Sequence, residues 1–288
     1  MTALPKSEMT IFSTESQREQ IRTSSWYAAS KHRIINSESD FDILIKNFSE
    51  AQKSIFVAYS TSVLKDFVKY LLKEVSQDKS FEIFHNPGGS LISFQELGHG
   101  DEEVILNDIF KEIVLEKRDN LTFLNREELM FVLNLSEEKR ADRIIGVQVL
   151  EKRKMVKILR GNFEFLYAPM SIFKPTTSGV KPNFDKVAVK EYGHYIAFGE
   201  YEVANTAILY ECDKSYRLRR KKERLANEKS FGACLRRFRL QKKIKQTDFK
   251  NTSEKTIRRI EAGDRPTPNT MSKILKELGI TEEELLSF

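Results

Sequence analysis

Two cysteines, Cys212 and Cys234, are too few for a disulfide framework in a chain of 288 residues, and they predict a reducing, cytoplasmic setting. Histidine is as scarce, with four. No His or Cys stands at ligand spacing, so no metal site is expected. His32, His85 and His194 have no nucleophile motif nearby, so no catalytic residue is expected and no cofactor is implied. No run of 18 apolar residues exists, so no membrane span is expected. The start "MTALPKSEMTIFSTESQ" has no basic stretch followed by an apolar core, so no leader is expected either. Two glycine motifs carry little. "NPGGS" at 86–90 lacks the Lys-Ser/Thr of a phosphate loop and predicts a hairpin turn. "HGDEE" at 99–103 predicts a glycine turn and an acidic helix start.

What the chain has is basic charge at one end. Residues 214–265 hold 19 Lys+Arg against 6 Asp+Glu; the remainder holds 29 against 36. A strongly basic C-terminal stretch on a mildly acidic body fits either a nucleic-acid partner or a solvated basic face.

Residues 1–23 are polar and expected to fray. In "DFDILIKNFSEAQ", Phe41, Leu44, Ile45 and Phe48 recur on one helical face, and "VLKDFVKYLLKEV" repeats that period. Between them "SIFVAYS" predicts a buried strand. "FEIFHNPGGSLISF" predicts a hairpin, and "DEEVILNDIFKEIVLEKRD" and "NREELMFVLNLSEEKRADRIIGV" predict helices, the latter starting at Asn125 with Glu128 three residues on. From Ile144, short apolar runs alternate with Gly, Pro and Lys, which predicts a small antiparallel sheet with one helix near "EVANTAILYE" and a loop at 174–183. The boundaries expected are 1–23 flexible, 24–143 mixed α/β, 144–212 a small α+β sheet domain, 213–229 a basic helical connector and 230–288 the last domain.

Residues 231–286 predict five short helices. Phe231, Leu235 and Phe238 form a stripe with Arg236, Arg237 and Arg239 off it. "KQTDF" starts a second helix. Ser253 caps a third, "EKTIRRIEA", which ends at Gly263. Pro266 and Pro268 lead into "NTMSKILKEL", Gly279 ends it, and Thr281 with Glu284 forms a capping box. Gly232, Leu235, Arg236 and Arg239, then Ile244, Lys245, Gln246 and Phe249, then Ser253, Ile257, Arg259, Ile260, Glu261 and Gly263, then Met271, Ile274, Leu278, Gly279 and Ile280 stand at matching offsets. In these positions the stretch resembles the lambda-repressor/Cro-like, or xenobiotic-response-element, helix-turn-helix family. One departure concerns length: Phe249 to Ser253 spans four residues where the family usually has seven. Residues 163–210 faintly resemble an uncharacterised small bacterial α+β domain; residues 1–150 resemble no family.

The resemblance implies an α+β N-terminal body with an all-α five-helix DNA-binding domain, and double-stranded DNA as the partner. With Ile257 and Ile260 turned inward, Glu254, Lys255 and Arg258 face out near the start of the recognition helix, the end that enters the major groove. Lys255 or Arg258 would donate to guanine and Glu254 would accept from cytosine. Ser253 and Thr256 belong to the same end. Gln246 and Thr247 would reach phosphates, and Arg236 and Arg237 would add charge. Arg259 has an equal claim to an ion pair with Glu261. The function expected is a non-enzymatic, Cro/repressor-like transcriptional regulator. It would bind a palindromic operator as a homodimer, with the body sensing a protein or small-molecule effector or dimerising. An antitoxin-type autorepressor and a nuclease- or toxin-like enzyme with a DNA-targeting tail are the alternatives.

Overall fold

A computed structural model of the chain describes residues 9–28, 31–48, 54–75, 82–85, 87–94, 101–115 and 119–287. Residues 1–8, and the His99-Gly100 part of "HGDEE", lie outside them. The chain divides into two compact units, Met1–Cys212 and Asp213–Phe288.

The first unit begins β1 (Met9–Phe12), α1 (Glu15–Thr23), β2 (His32–Ile35), α2 (Glu38–Lys46), β3 (Ile55–Ala58), α3 (Thr61–Val75), α4 (Glu82–His85), β4 (Gly88–Ser93), α5 (Asp101–Ile109) and β5 (Phe110–Leu115). The five strands form one sheet in the order β2-β1-β3-β4-β5, and every pairing is parallel. Parallel strands are covered on both faces, so they read as continuous apolar runs. β1 (MTIF) and β3 (IFVA) are buried at every residue. The strand period of two deals their side chains to opposite sides. Met9, Ile11, Ile55, Val57, Ile92 and Val114 share one core with Ile21 of α1. Phe12, Phe56, Ala58, Leu91 and Leu115 share another with Phe41 and Leu44 of α2, Leu64 and Phe67 of α3, and Leu106 and Ile109 of α5. The chain winds from β1 out to β2 and then back past β1 to β3, β4 and β5, and with right-handed crossovers this change of winding places α1 on the face opposite α2, α3 and α5.

The unit continues with β6 (Thr122–Phe123), α6 (Arg126–Leu133), α7 (Glu137–Ala141), β7 (Ile144–Leu150), β8 (Met155–Arg160), β9 (Phe165–Pro169), β10 (Val187–Lys190), β11 (Tyr195–Phe198), β12 (Tyr201–Ala204) and α8 (Asn205–Cys212). β6 to β9 form one antiparallel sheet and β10 to β12 another. Leu129 and Met130 of α6, Val147, Ile158, Ile196 and Ile208 join the core that holds Met9 and Ile11. Buried His32 ties the strand edge to this layer. Its Nδ1 accepts from the Ala28 amide at 2.9 Å and its Nε2 meets Asn134, which donates to the Trp26 carbonyl at 3.2 Å.

Several expectations change here. Met9–Thr23 is not frayed; it supplies an interior strand and a helix. No boundary falls at residue 143, because β6 pairs with β7 across it and one core spans both sides. Among the described residues of 81–94 no hairpin forms: Glu82–His85 is helical and Gly88–Ser93 lies parallel between β3 and β5. "DEEVILNDIFKEIVLEKRD" is a helix only to Ile109 and a strand from Phe110. The helix expected at "DFDILIKNFSEAQ" is present to Lys46, with residues 49–52 outside the described ones, and the helix at "VLKDFVKYLLKEV" and the Asn125 cap are present.

Candidate nucleic-acid interface

The second unit comprises α9 (Lys214–Asn227), α10 (Phe231–Gln241), a single 3-10 turn (Gln246–Asp248), α11 (Glu254–Glu261), α12 (Pro268–Leu278) and α13 (Glu282–Leu286). Local chemistry starts each helix of residues 230–287. Ser230, Ser253, Thr267 and Thr281 accept from the amides of Ala233, Thr256, Thr270 and Glu284 at 3.2–3.4 Å. Such caps contribute about 1 kcal/mol each. Gly279 ends α12 at φ 67°, a left-handed conformation that favours glycine. Phe231, Cys234, Leu235, Phe238, Phe249, Ile257, Ile260, Ile274 and Leu285 close a separate core.

Two features fix α11 against α10. Gly232 lets the helices touch: a Cβ there would lie 1.9 Å from the carbonyl oxygen of Ile260. Nearby, the Arg239 guanidinium donates to the Glu261 carboxylate through Nε at 2.7 Å and Nη2 at 3.0 Å. Nη1 donates to the carbonyl of Ile244 at 2.8 Å. The bond to Glu261 pushes the Arg239 pKa further up, so the guanidinium stays charged throughout the working pH range. Gln246 donates its side-chain amide to the same carboxylate at 2.6 Å, at the Oε2 that also takes Arg239 Nη2. One buried carboxylate therefore joins α10, the 3-10 turn and α11.

The shortened connection is resolved without a second α-helix. Where five helices were expected, residues 231–286 form four and one 3-10 turn. Asp248 accepts from the Lys245 amide at 2.8 Å. Phe249 enters the core, and the next two amides, Lys250 and Asn251, donate to the Glu277 carboxylate of α12. Sequence reasoning passed over Glu277, because it sits on a helix face that looks solvated until the loop folds over it.

The residues expected to meet DNA sort into two groups. Ser253, Glu254, Lys255 and Arg258 are exposed on α11, with Thr256 half-buried between them. Ser253 and Thr256 also exchange a hydroxyl bond at 2.8 Å, so both serve the cap. Among the described residues Glu254, Lys255 and Arg258 have no ion-pair partner, and the i,i+4 pair of Glu254 with Arg258 does not form. Thr247 is exposed beside half-buried Gln246, and Arg236 is exposed on α10. The other group already has partners within the domain, and Gln246 belongs to it through its bond to Glu261. Arg237 donates to the Glu228 carbonyl at 2.8 Å. Arg259 pairs with Asp264 at 2.7 Å rather than with Glu261.

A helix-turn-helix family model matches residues 235–285, under a fifth of the chain. The C-terminus thus carries a helix-turn-helix domain of the lambda-repressor-like type, and the model covers α11 with its exposed N-terminal turn. Comparison with curated proteins and with solved structures gave no match to the chain. Among the described residues no helix is long and apolar enough to cross a membrane, and no group of His, Cys, Asp and Glu is arranged to hold a metal ion.

Proposed function

We propose that this chain is a sequence-specific DNA-binding regulator of transcription, with α11 as its recognition helix and residues 1–212 serving to sense an effector or to dimerise. The observation that carries the reading is the division of α11. Ile257 and Ile260 are buried and Glu261 is clamped by Arg239, while Glu254, Lys255 and Arg258 stand exposed on the first turns. A rigid backbone presenting unengaged donors and an acceptor is what direct readout of base edges needs. The N-terminal end of α11 adds a positive dipole toward phosphate. A palindromic operator and a homodimer follow from the same reading, since one short recognition helix makes few base contacts and pairing two half-sites multiplies affinity.

The test is titration of the full-length protein with duplex and single-stranded DNA of the same mixed sequence. Preference for the duplex, lost when DNA is offered only as single strand, supports the reading. Equal binding to both would replace groove readout with a charge-only interaction.

A further inference from the structure

α9 lies outside the matched helix-turn-helix residues and has no part in the readout by α11. Its 14 residues, KSYRLRRKKERLAN, hold seven cations and one carboxylate. Tyr216, buried, marks the inner side of the helix. The Arg219 guanidinium lies over its ring at 5.2 Å, and Glu223 takes Arg219 at 3.8 Å and Arg220 at 2.7 Å. The other five cations, Lys214, Arg217, Lys221, Lys222 and Arg224, are all exposed. At 3.6 residues per turn they fall within an arc of about 160° on the opposite side. The only carboxylate of the helix is already engaged on the inner side.

The placement of α9 within its unit matters as much as its charge. Arg224 and Asn227 at its C-terminal end line a depression of about 480 Å³ together with Ser230 and Ala233 of the α10 start and Glu261, Ala262 and Gly263 at the end of α11. The cationic helix therefore leaves the domain beside the exit of the recognition helix. Its length is about 21 Å at 1.5 Å per residue, more than half of one duplex turn of roughly 34–36 Å.

We propose that α9 is a second DNA-contact element, its outer face lying along the sugar-phosphate backbone that flanks the site read by α11. The ligand is the phosphate backbone of duplex DNA, bound through charge with no base readout. A lipid surface fits less well, because an interfacial helix needs a broad apolar face and, among the described side chains, the exposed side of α9 offers Leu218 alone. The inference rests on the DNA-binding reading of the C-terminal unit.

The experiment is fluorescence anisotropy of the full-length chain on a mixed-sequence duplex of about 40 base pairs across a salt series. Lys214, Arg217, Lys221, Lys222 and Arg224 are changed together to Gln, which keeps helix propensity. A second variant carries only Lys221→Gln and Lys222→Gln, so the test survives if the larger one misfolds. Each phosphate contact contributes about −0.9 to the slope of log K against log salt. The fivefold variant should lose about 3 or more from the slope and the double variant up to about 1.8, with unchanged far-UV circular dichroism. Wild-type binding with the same slope in the variants would overturn the role of α9 and leave the DNA-binding reading standing. No duplex binding by the wild type at any salt would overturn both. Variants that keep their DNA slope but lose binding to phosphatidylserine vesicles would reassign α9 to membranes.

Discussion

Arg239 of α10 and Glu261 of α11 meet through two bonds of 2.7 and 3.0 Å, with side chains only 11% and 5% exposed. Removing one partner of such a buried pair strands the other charge and typically costs about 3–5 kcal/mol. Arg239→Ala should therefore lower the unfolding free energy of the C-terminal unit, read from its urea transition, by that amount. Replacing both residues with apolar side chains should cost less than either single change. A double-mutant cycle in urea measures this; simple additivity would show that the pair is not coupled.

Gly232→Ala should destabilise the protein although alanine favours a helix by about 1 kcal/mol over glycine. The added Cβ would fall 1.9 Å from the Ile260 carbonyl oxygen, which is backbone and cannot step aside as a flexible side chain would. Forced overpacking costs on the order of 1–3 kcal/mol, so the net sign should be a loss. Thermal melting reads it directly, and a raised melting temperature would mean that α10 and α11 do not approach this closely.

The C-terminal domain was legible because its determinants are local. Ser253, Gly263, Thr281 and Gly279 fix helix ends from adjacent backbone, and Ile257 and Ile260 mark the inner side of α11 within one turn. The parallel sheet was not legible, because its partners are remote in sequence. MTIF at 9–12 sits in a polar stretch, and only its neighbours, His32–Ile35 and Ile55–Ala58, make it an interior strand. Phe110–Leu115 continues an apolar helical pattern, and pairing with β4 decides that it becomes a strand. The exposed site residues could be named from the sequence. The engagement of Arg237 with Glu228, of Arg259 with Asp264, and of the Lys250 and Asn251 amides with Glu277 depends on the closed tertiary structure.

Thr252 is buried, and its hydroxyl has no hydrogen-bond partner. An unpaired buried polar atom costs stability, and an apolar group of the same shape removes that cost. Thr252→Val should be neutral or stabilising by up to about 1 kcal/mol, whereas Thr252→Ser keeps the hydroxyl, loses the methyl and should destabilise. Paired chemical melts decide between them. A clear loss on Thr252→Val would mean that the hydroxyl is satisfied in solution.

Residues 213–288 should fold alone. Among the described residues, the core from Phe231 to Leu285 is built from side chains of this span. A fragment of this span should melt cooperatively, stay monomeric in sedimentation and bind duplex DNA more weakly than the full chain. A fragment that dimerises and matches full-length affinity would remove residues 1–212 from assembly of the DNA-binding unit.

The most direct measurement is selection of duplexes from a random library by the full-length protein, repeated with Lys255→Ala and Arg258→Ala. An enriched, two-fold-symmetric motif is expected. Each substitution should cost about 1–3 kcal/mol on that motif and relax one or two base positions, with a much smaller effect on unselected DNA. Failure of the wild-type protein to enrich any sequence would contradict readout by α11.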